Sequence, residues 1–129
     1  MASLLIIDDE IPLLYMMTSY FVALGYEVVA ARDIDEAHEL IIDGRYAVVI
    51  SDLELCDPKQ RRGFDLLRQV RRVDSTTRTI LLTAYGSPEA RREAAEAGVD
   101  VVLDKPQPLK KLAETVARLI EPNACHVAH

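Results

Sequence analysis

Acidic, hydroxyl and amine side chains follow several of the apolar segments in this sequence. They are Asp8, Asp9, Glu10, Asp52, Thr83 and Lys105. Adjacent carboxylates repel each other by roughly 1 kcal/mol per pair at ~4 Å even in water, so a positive group is expected near the first three. Carboxylate oxygens, water and phosphate are the ligands that Mg²⁺ prefers. The acids therefore predict a site for a divalent cation.

Asp52 adds a possible nucleophile to this group. An aspartate can attack phosphorus and form an aspartyl phosphate. A divalent cation and the Lys105 ammonium group would offset the charge on the transferred oxygens, and the Thr83 hydroxyl could donate a hydrogen bond to one of them. Together these side chains predict phosphoryl transfer.

The composition is typical of one soluble domain. The chain has 129 residues, of which 50% are hydrophobic, and its two cysteines, Cys56 and Cys125, favour a reducing compartment. The formal net charge of −6 argues against nonspecific binding to nucleic acid. The sequence shows neither a cleavable leader nor an apolar stretch of membrane-spanning length. We therefore expect a cytoplasmic protein that binds neither nucleic acid nor membrane directly.

Five apolar runs alternate with five helical patterns along the chain. The runs cover residues 4–7, 26–31, 47–51, 79–83 and 99–103. The helical patterns cover residues 11–24, 35–44, 64–73, 87–98 and 108–121. Near-continuous runs of Val, Ile and Leu are typical of parallel strands that are buried on both faces. Five consecutive βα units predict an α/β fold, in which helices cover both faces of a parallel sheet.

Residue types at the helix ends support this interpretation. Gly25 and Gly98 stand where helices commonly end, and Ser87 and Pro88 stand where a helix commonly begins. In an open parallel sheet, ligands bind at the carboxyl ends of the strands. The reactive side chains all follow or end a predicted strand, so they should meet at one edge of the sheet.

These residues give the sequence a resemblance to the receiver domain of two-component response regulators. The matching pieces are DDE after the first strand, SDLEL at the end of the third, TAYG after the fourth and DKP after the fifth. The resemblance covers residues 3–121, and it implies a receiver domain over residues 1–121 and a flexible tail over residues 122–129. It also implies a flavodoxin-like, doubly wound (βα)5 three-layer sandwich with strand order 2-1-3-4-5.

The resemblance implies a role for each acidic residue. Asp52 would accept a phosphoryl group from a sensor histidine kinase or a histidine phosphotransfer protein. Mg²⁺ would be held by Asp8, Asp9 and Asp52, together with the backbone carbonyl of Glu54.

The other matching residues would respond to the phosphoryl group. Lys105 would pair with it, Thr83 would be the switch hydroxyl, and the bond between Lys105 and Pro106 would be cis. Such a domain catalyses only its own phosphorylation and dephosphorylation, and phosphorylation changes the surface that a downstream partner reads. A homodimer through the fourth helix, fifth strand and fifth helix is possible in this family.

The sequence departs from the family pattern at several positions. The fifth strand carries Val102 where the family usually has an aromatic residue, so the usual movement of that ring is absent or is carried elsewhere, with Tyr85 as one candidate. Glu54 and Tyr85 occupy positions that tune phosphoryl lifetime in the family, and Ala84 lies between Tyr85 and the switch hydroxyl. The loop after Asp52 is longer than usual, and it is either an ordinary solvated loop or a lid or docking element beside the phosphorylation site.

The first predicted helix carries more apolar residues than one buried face needs. Its register predicts that the buried residues are Leu13, Met16, Met17, Tyr20, Phe21 and Leu24. Leu14, Tyr15 and Val22 would then be exposed, and an exposed apolar stripe often marks a binding site. The stripe is either a slightly apolar surface or, in our hypothesis, the docking site of the phosphodonor.

Two other classes of protein remain open at this point. One is a phosphatase of the haloacid-dehalogenase type, which needs a second aspartate two residues after the nucleophile, where this chain has Glu54. The other is a pseudo-receiver, which binds partners without phosphorylation. Taken singly, each residue also has a simpler explanation, such as helix capping by Asp9 and Glu10. The sequence identifies neither the kinase nor the output.

Overall fold

Strands and helices alternate along the whole described part of the chain. A computed structural model describes residues 2–52, 60–84 and 87–120, without the side chains of residues 60–62. The strands of this part are β1 (Ser3–Ile7), β2 (Glu27–Ala31), β3 (Val48–Asp52), β4 (Arg78–Thr83) and β5 (Val101–Asp104). Its helices are α1 (Ile11–Ala23), α2 (Ile34–Asp43), α3 (Gln60–Val73), α4 (Pro88–Glu96) and α5 (Leu109–Ile120).

The strands form one parallel sheet in the order β2-β1-β3-β4-β5. Its register places Ile7 of β1 beside Ser51 of β3, and Asp52 of β3 beside Leu82 of β4. Thr83, at the end of β4, lies beside Asp104 of β5. The predicted α/β fold class and the strand order 2-1-3-4-5 are confirmed.

Apolar side chains cover both faces of the sheet, which gives three layers. Ile6 belongs to a core cluster with Phe21 of α1 and Val116 of α5. Its neighbour Ile7 points to the opposite face, where the cluster includes side chains of α2 and α3. Leu81 lies on that second face in a further cluster with side chains of α3 and α4. Because successive strand residues point to opposite faces, burial of both faces requires the unbroken apolar runs of the sequence.

Caps and glycines mark the ends of several helices. Ser87 Oγ accepts a hydrogen bond from the Ala90 N–H at 3.1 Å, which caps the start of α4. Gly25 follows α1 with a φ of 103°, and Gly98 follows α4 with a φ of 86°. This left-handed conformation favours glycine, because a Cβ atom would be strained there. The predicted cap at Ser87 and the helix ends at these glycines are confirmed.

The start of α3 differs from the prediction. The helix begins at Gln60, whereas the sequence pattern predicts a start at residue 64. Residues 60–63 show no apolar periodicity and include Gly63, a weak helix former, so the pattern missed this turn. Phe64 and Leu67 are buried, and they anchor the helix to the sheet near Leu81.

The buried face of α1 also differs from the prediction. Leu14 is only 5% exposed and lies in the core with Met17 and Phe21, so its predicted exposure and its predicted docking role are wrong. Met16 and Leu24 are about half exposed, although the sequence pattern placed them in the core. The helix contains no charged residue, so apolar periodicity could not single out one face.

Two of the three predicted surface residues on α1 are exposed. They are Tyr15, at 73%, and Val22, at 53%. Their exposure agrees with the sequence pattern. Their role in docking stays a prediction.

Within the described ranges, no helix combines the length and apolar character needed to cross a membrane. Several sequence predictions fall outside these ranges. They concern Glu54, Tyr85, the loop over residues 53–59 and the tail over residues 122–129. The domain boundary after residue 121 therefore stays a prediction.

The position of Leu14 in the core leads to a stability prediction. We expect Leu14→Ala to lower the free energy of unfolding by about 2–5 kcal/mol, because it leaves a cavity in the core. Tyr15→Ala, at the neighbouring exposed position, should change it by less than about 0.5 kcal/mol. Urea denaturation followed by circular dichroism measures both values. Equal effects of the two substitutions would contradict the observed face of α1.

Candidate functional site

The predicted reactive side chains meet at the carboxyl edge of the sheet. Asp8 follows β1, Asp52 ends β3, Thr83 ends β4, and Lys105 follows β5. Backbone hydrogen bonds fix two of these positions. The Asp8 N–H donates to the Ala31 carbonyl at 3.0 Å, and the Lys105 N–H donates to the Thr83 carbonyl at 2.8 Å. The segment after β5 is therefore attached to the end of β4.

Asp52 and Lys105 form a short ion pair at the centre of this edge. Lys105 Nζ lies 2.6 Å from Asp52 Oδ2. The Asp52 side chain is only 1% exposed and that of Lys105 is 15% exposed. A buried carboxylate that loses such a partner becomes strongly unfavourable. The ammonium group thus compensates Asp52 and lies within reach of any group that Asp52 receives.

Asp8 is fully buried and lacks a cationic partner of this kind among the described residues. Its Oδ1 atom accepts a hydrogen bond from the Glu10 N–H at 2.9 Å, while its Oδ2 atom has no hydrogen-bond partner within the described ranges. Burial raises the pKa of Asp8 from 3.8 to about 6. The bond from the Glu10 N–H and the charge of Lys105 oppose this rise, and the negative charges of Asp52 and Glu10 add to it.

A third carboxylate, that of Glu10, joins Asp8 and Asp52. One oxygen from each of the three side chains lies within 4.8 Å of the others. This donor set suits Mg²⁺, which prefers hard oxygen ligands. Asp8 Oδ2, which has no hydrogen-bond partner among the described residues, offers a buried ligand atom. Asp9 is exposed and does not belong to this group of described residues.

Glu10 is one of the acids from which the sequence predicted a cation site, but the ligand set implied by the resemblance does not include it. Glu10 has an extended backbone, with a φ of −84° and a ψ of 101°. The chain bends at Asp9, and the Asp8 side chain accepts the Glu10 N–H across this bend. The ligand role of Asp9 was implied by the resemblance, and it stays a prediction. Glu10 also begins α1 without a capping hydrogen bond from its side chain.

The remaining predicted residues surround this centre. Thr83 is buried at the end of β4, and Ala84 after it is exposed. Val102 is partly buried against the core cluster between β4, α3 and α4. The Lys105–Pro106 peptide bond is cis. Asp104 pairs with Arg91 of α4 at 2.9 Å, a contact that the sequence did not predict.

A mainly apolar cavity of about 450 Å³ opens beside the acidic group. Glu10 and Lys105 line part of it. Side chains of α1, of α5 and of the strand ends line the rest: Leu13, Met16, Met17, Leu82, Ala84, Pro106, Gln107, Leu109 and Leu112. Lys105, the partner of Asp52, therefore borders this cavity, whereas Asp52 itself does not line it.

The family model for the response regulator receiver domain matches residues 4–117. The chain belongs to this family. Response regulator protein PilR of Pseudomonas aeruginosa is 31% identical over 123 residues, which are 93% of this chain and 27% of PilR. The chain thus spans about a quarter of the length of that relative.

Solved receiver structures resemble this receiver domain closely. A CheY-like receiver domain protein of Methanospirillum hungatei has a TM-score of 0.88 at 23% identity, with 98% of each chain covered. The response regulator TrrA of Thermotoga maritima, solved in complex with Mg²⁺ and BeF, has a TM-score of 0.77 at 26% identity. That alignment covers 92% of this chain and 99% of TrrA.

Membership of the family establishes the general role of the chain. It is a receiver domain of the kind found in two-component response regulators. Phosphoacceptor function, an acidic pocket for Mg²⁺, and interaction with histidine kinases and output domains are general for such domains. The predicted resemblance is confirmed.

The raised pKa of Asp8 leads to a pH-dependent stability prediction. Because the pKa is higher in the folded state, Asp8 favours folding most below about pH 4, and this contribution is lost as the pH rises through about 6. In the presence of a chelator, Asp8→Asn should therefore stabilise the protein at pH 7.5 by up to about 3 kcal/mol, and by much less at pH 4. Asparagine keeps an oxygen for the Glu10 N–H.

Urea denaturation at the two pH values measures the effect. Asp9→Asn is the matched control, since it removes the same charge from an exposed neighbour, and it should change stability by less than about 0.5 kcal/mol. A gain from Asp8→Asn that is the same at both pH values would show that burial of the charged form is not its cause.

Proposed function

We propose that Asp52 is the phosphoacceptor of this receiver domain and that it receives a phosphoryl group from a phosphohistidine donor. The observation that carries the proposal is the buried Asp52–Lys105 pair at 2.6 Å, beside the carboxylates of Asp8 and Glu10. Such a pair places a nucleophile and a charge-compensating group at the same point. The alternative is a pseudo-receiver, which uses the fold to bind a protein without phosphorylation.

In the proposed reaction, an Asp52 carboxylate oxygen attacks phosphorus. A bond forms between that oxygen and phosphorus, the bond from phosphorus to the donor imidazole nitrogen breaks, and the imidazole leaves with the electron pair. Lys105 Nζ lies close enough to Asp52 to offset charge on the transferred oxygens. Mg²⁺, when bound by Asp8 and Asp52 with Asp9 and the Glu54 carbonyl as further proposed ligands, would compensate the same charge.

Thr83 and Lys105 would then bind the phosphoryl group and couple its presence to the rest of the domain. Thr83 would donate a hydrogen bond to a phosphoryl oxygen, and its carbonyl already accepts the Lys105 N–H. A change at either residue would therefore reach the ends of β4 and β5. Ala84, Tyr85 and Val102 would tune this response.

The readout is proposed to lie on α4, β5 and α5. A downstream protein or a fused output domain would read this face, and a homodimer through it is part of the same proposal. The expected cytoplasmic location belongs to the proposal as well, and it rests on the family alone.

The phosphodonor is proposed to dock over α1. The cavity beside Asp52 is lined by Leu13 and Met16 of this helix, and Met16 is 48% exposed. A donor whose histidine approaches the Asp52–Lys105 pair would lie near this opening, because Lys105 lines it, and an apolar side chain of the donor would fill it favourably. Tyr15 and Ile11 are further exposed apolar residues of α1. In this docking surface Met16 takes the place that the sequence pattern gave to the buried Leu14, and Val22 remains a proposed member.

The phosphoacceptor role predicts a specific covalent change. Incubation with acetyl phosphate and Mg²⁺ should add one phosphoryl group, detected by intact mass spectrometry. Asp52→Asn should abolish the adduct, because the amide is a poor nucleophile, and a chelator should abolish it as well. A generic phosphomonoester should not be hydrolysed, since hydrolysis would indicate a phosphatase.

The absence of an adduct on the wild-type chain would have two possible causes, and one further measurement separates them. Beryllofluoride mimics a bound phosphoryl group, and TrrA has been solved with Mg²⁺ and BeF. A beryllofluoride complex of this chain would indicate fast hydrolysis of the aspartyl phosphate. Failure to form one, with Mg²⁺ binding intact, would favour the pseudo-receiver.

The docking proposal predicts an effect that is specific to the protein donor. The donor is chosen from a panel of purified kinases as the one that phosphorylates the wild-type chain fastest. Met16→Glu should slow phosphotransfer from this kinase by at least about tenfold, because the new carboxylate would lose solvation at the interface. Labelling by acetyl phosphate should be unchanged. Ile42→Glu, at a 54% exposed site on α2, is the control and should leave both rates unchanged. Equal slowing by the two variants would contradict docking over α1.

A further inference from the structure

We infer that the β2 edge of the sheet binds a second copy of this chain, with the two β2 strands antiparallel across a two-fold axis at Val29. The dimer would then contain one continuous sheet. β2 lies at the opposite end of the sheet from β5, so this edge is separate from the readout face that the proposed function places on α4, β5 and α5. The inference does not depend on phosphorylation of Asp52.

β2 has backbone hydrogen-bonding groups that the sheet does not use. Among the described residues, β1 is the only strand that pairs with it. The Glu27 N–H donates and the Ala31 carbonyl accepts hydrogen bonds of 3.1 and 3.0 Å with the segments that flank β1. Alternate residues of a parallel strand direct their N–H and C=O groups to opposite sides. Val28 and Ala30 therefore direct theirs away from β1, to the open edge.

β2 also lacks several features that usually keep an edge strand from pairing. Such features include proline, lysine and a bulge. β2 consists of Glu, Val, Val, Ala and Ala, and its register against β1 is unbroken. At the other edge of the sheet, Pro106 follows β5 closely, and the side-chain amide of Gln107 donates to the Asp104 carbonyl at 2.7 Å. Of the two edges, β2 is therefore the one more open to a further strand.

The open groups define the register of the two strands. The Arg32 N–H, which comes next along this edge, already donates to Glu36 Oε1 at 2.8 Å, so the open part ends at Ala30. Two antiparallel copies satisfy every open N–H and C=O group when Val28 of each lies opposite Ala30 of the other. Val29 then lies opposite Val29 of the second copy, at the two-fold axis. A pair of β-branched side chains at such a position adds to the stability of the ladder.

Charge complementarity favours a second copy as the occupant of this edge. β2 begins with Glu27, which is exposed, and Arg32 follows its last residue with a side chain that is 69% exposed. An antiparallel copy brings each Glu27 close to Arg32 of the other chain, and opposite charges across strands stabilise the pair. The present contact of Arg32 with Glu36 is 3.6 Å long and exposed to solvent, so it holds Arg32 weakly. The favourable contact occurs twice, because a two-fold interface uses the same patch on both copies.

An apolar groove of about 260 Å³ lies beside the same edge. Ile11 and Tyr15 of α1 and Ala30 of β2 contribute to its lining. Ile11 is 51% exposed and Tyr15 is 73% exposed. A second copy at the edge would cover part of this surface, and removal of apolar surface from water favours association. The described lining of this groove shares no residue with that of the cavity beside Lys105, so the two are distinct sites.

Oxidative crosslinking tests the register. Cys56 and Cys125 are replaced by serine, and Val29→Cys is introduced into this background. Residues opposite each other in a non-hydrogen-bonded antiparallel pair have Cβ atoms about 4.5–5.5 Å apart, which a small adjustment brings within disulfide range. Val29→Cys should therefore give a covalent dimer under mild oxidation. Ile42→Cys in the same background is the control, since it is 54% exposed on α2, and it should stay monomeric.

Sedimentation velocity of the full chain over a series of concentrations measures the affinity of the dimer, without beryllofluoride or any phosphodonor. Glu27→Lys and Arg32→Glu should each weaken dimerisation by roughly tenfold, because each brings like charges together twice. The double variant restores opposite charges, so its dissociation constant should lie within about threefold of the wild-type value. Circular dichroism checks that each variant is folded.

Three results would contradict the inference. A wild-type chain that stays monomeric at every concentration would leave the edge to another occupant, such as an extended peptide. Crosslinking of Ile42→Cys as fast as that of Val29→Cys would indicate random collision. A dimer that neither charge reversal weakens, or that the double variant does not restore, would use a different face. The phosphoacceptor role of Asp52 is unaffected by any of these results.

Discussion

The burial of Asp8 and Asp52 at one sheet edge is the constraint on which the rest of the site depends. Two carboxylates removed from water repel each other and need positive charge nearby. β1 and β3 are neighbours, so they bring the acids together, whereas Lys105 follows β5, which lies beyond β4. Neighbouring strands lie about 4.8 Å apart, so only a long side chain can reach from β5 to β3. The 2.6 Å contact between Lys105 and Asp52 spans this distance, and Thr83 at the end of β4 lies between the two in strand order.

Burial of these acids lowers the stability of the fold at the same edge of the sheet where the proposed binding occurs. Burial raises the pKa of Asp8, which means that its ionised form destabilises the fold near neutral pH. The apolar faces of the sheet supply stability elsewhere, so the domain can keep a costly acidic group where binding occurs. A divalent cation would relieve the repulsion and let a phosphoryl group, itself an anion, approach Asp52. The repulsion and the proposed affinity for a cation therefore have one physical cause.

Much of the fold and part of the site could be predicted from the sequence, and the misses have identifiable causes. Strands buried on both faces produce unbroken apolar runs, and these runs located β1 to β5. The face of α1 was mispredicted at Leu14, because a helix without charged residues has no polar side to set its register. The ion pair between Arg91 and Asp104 depends on how α4 packs against β5, which no local pattern records.

The packing of α4 bears on how a domain with Val102 in place of an aromatic residue could still switch. Within α4 only Ala94 is buried, whereas α1 buries Leu14, Met17 and Phe21. Full burial of a large apolar side chain stabilises by about 1.5–3 kcal/mol, and an alanine contributes much less. The Arg91–Asp104 pair also joins α4 to β5, but both of its side chains are exposed, and such pairs contribute about 0–1 kcal/mol. A helix held by small side chains and an exposed ion pair can move at low cost, so the proposed response to phosphorylation does not require a ring that changes position.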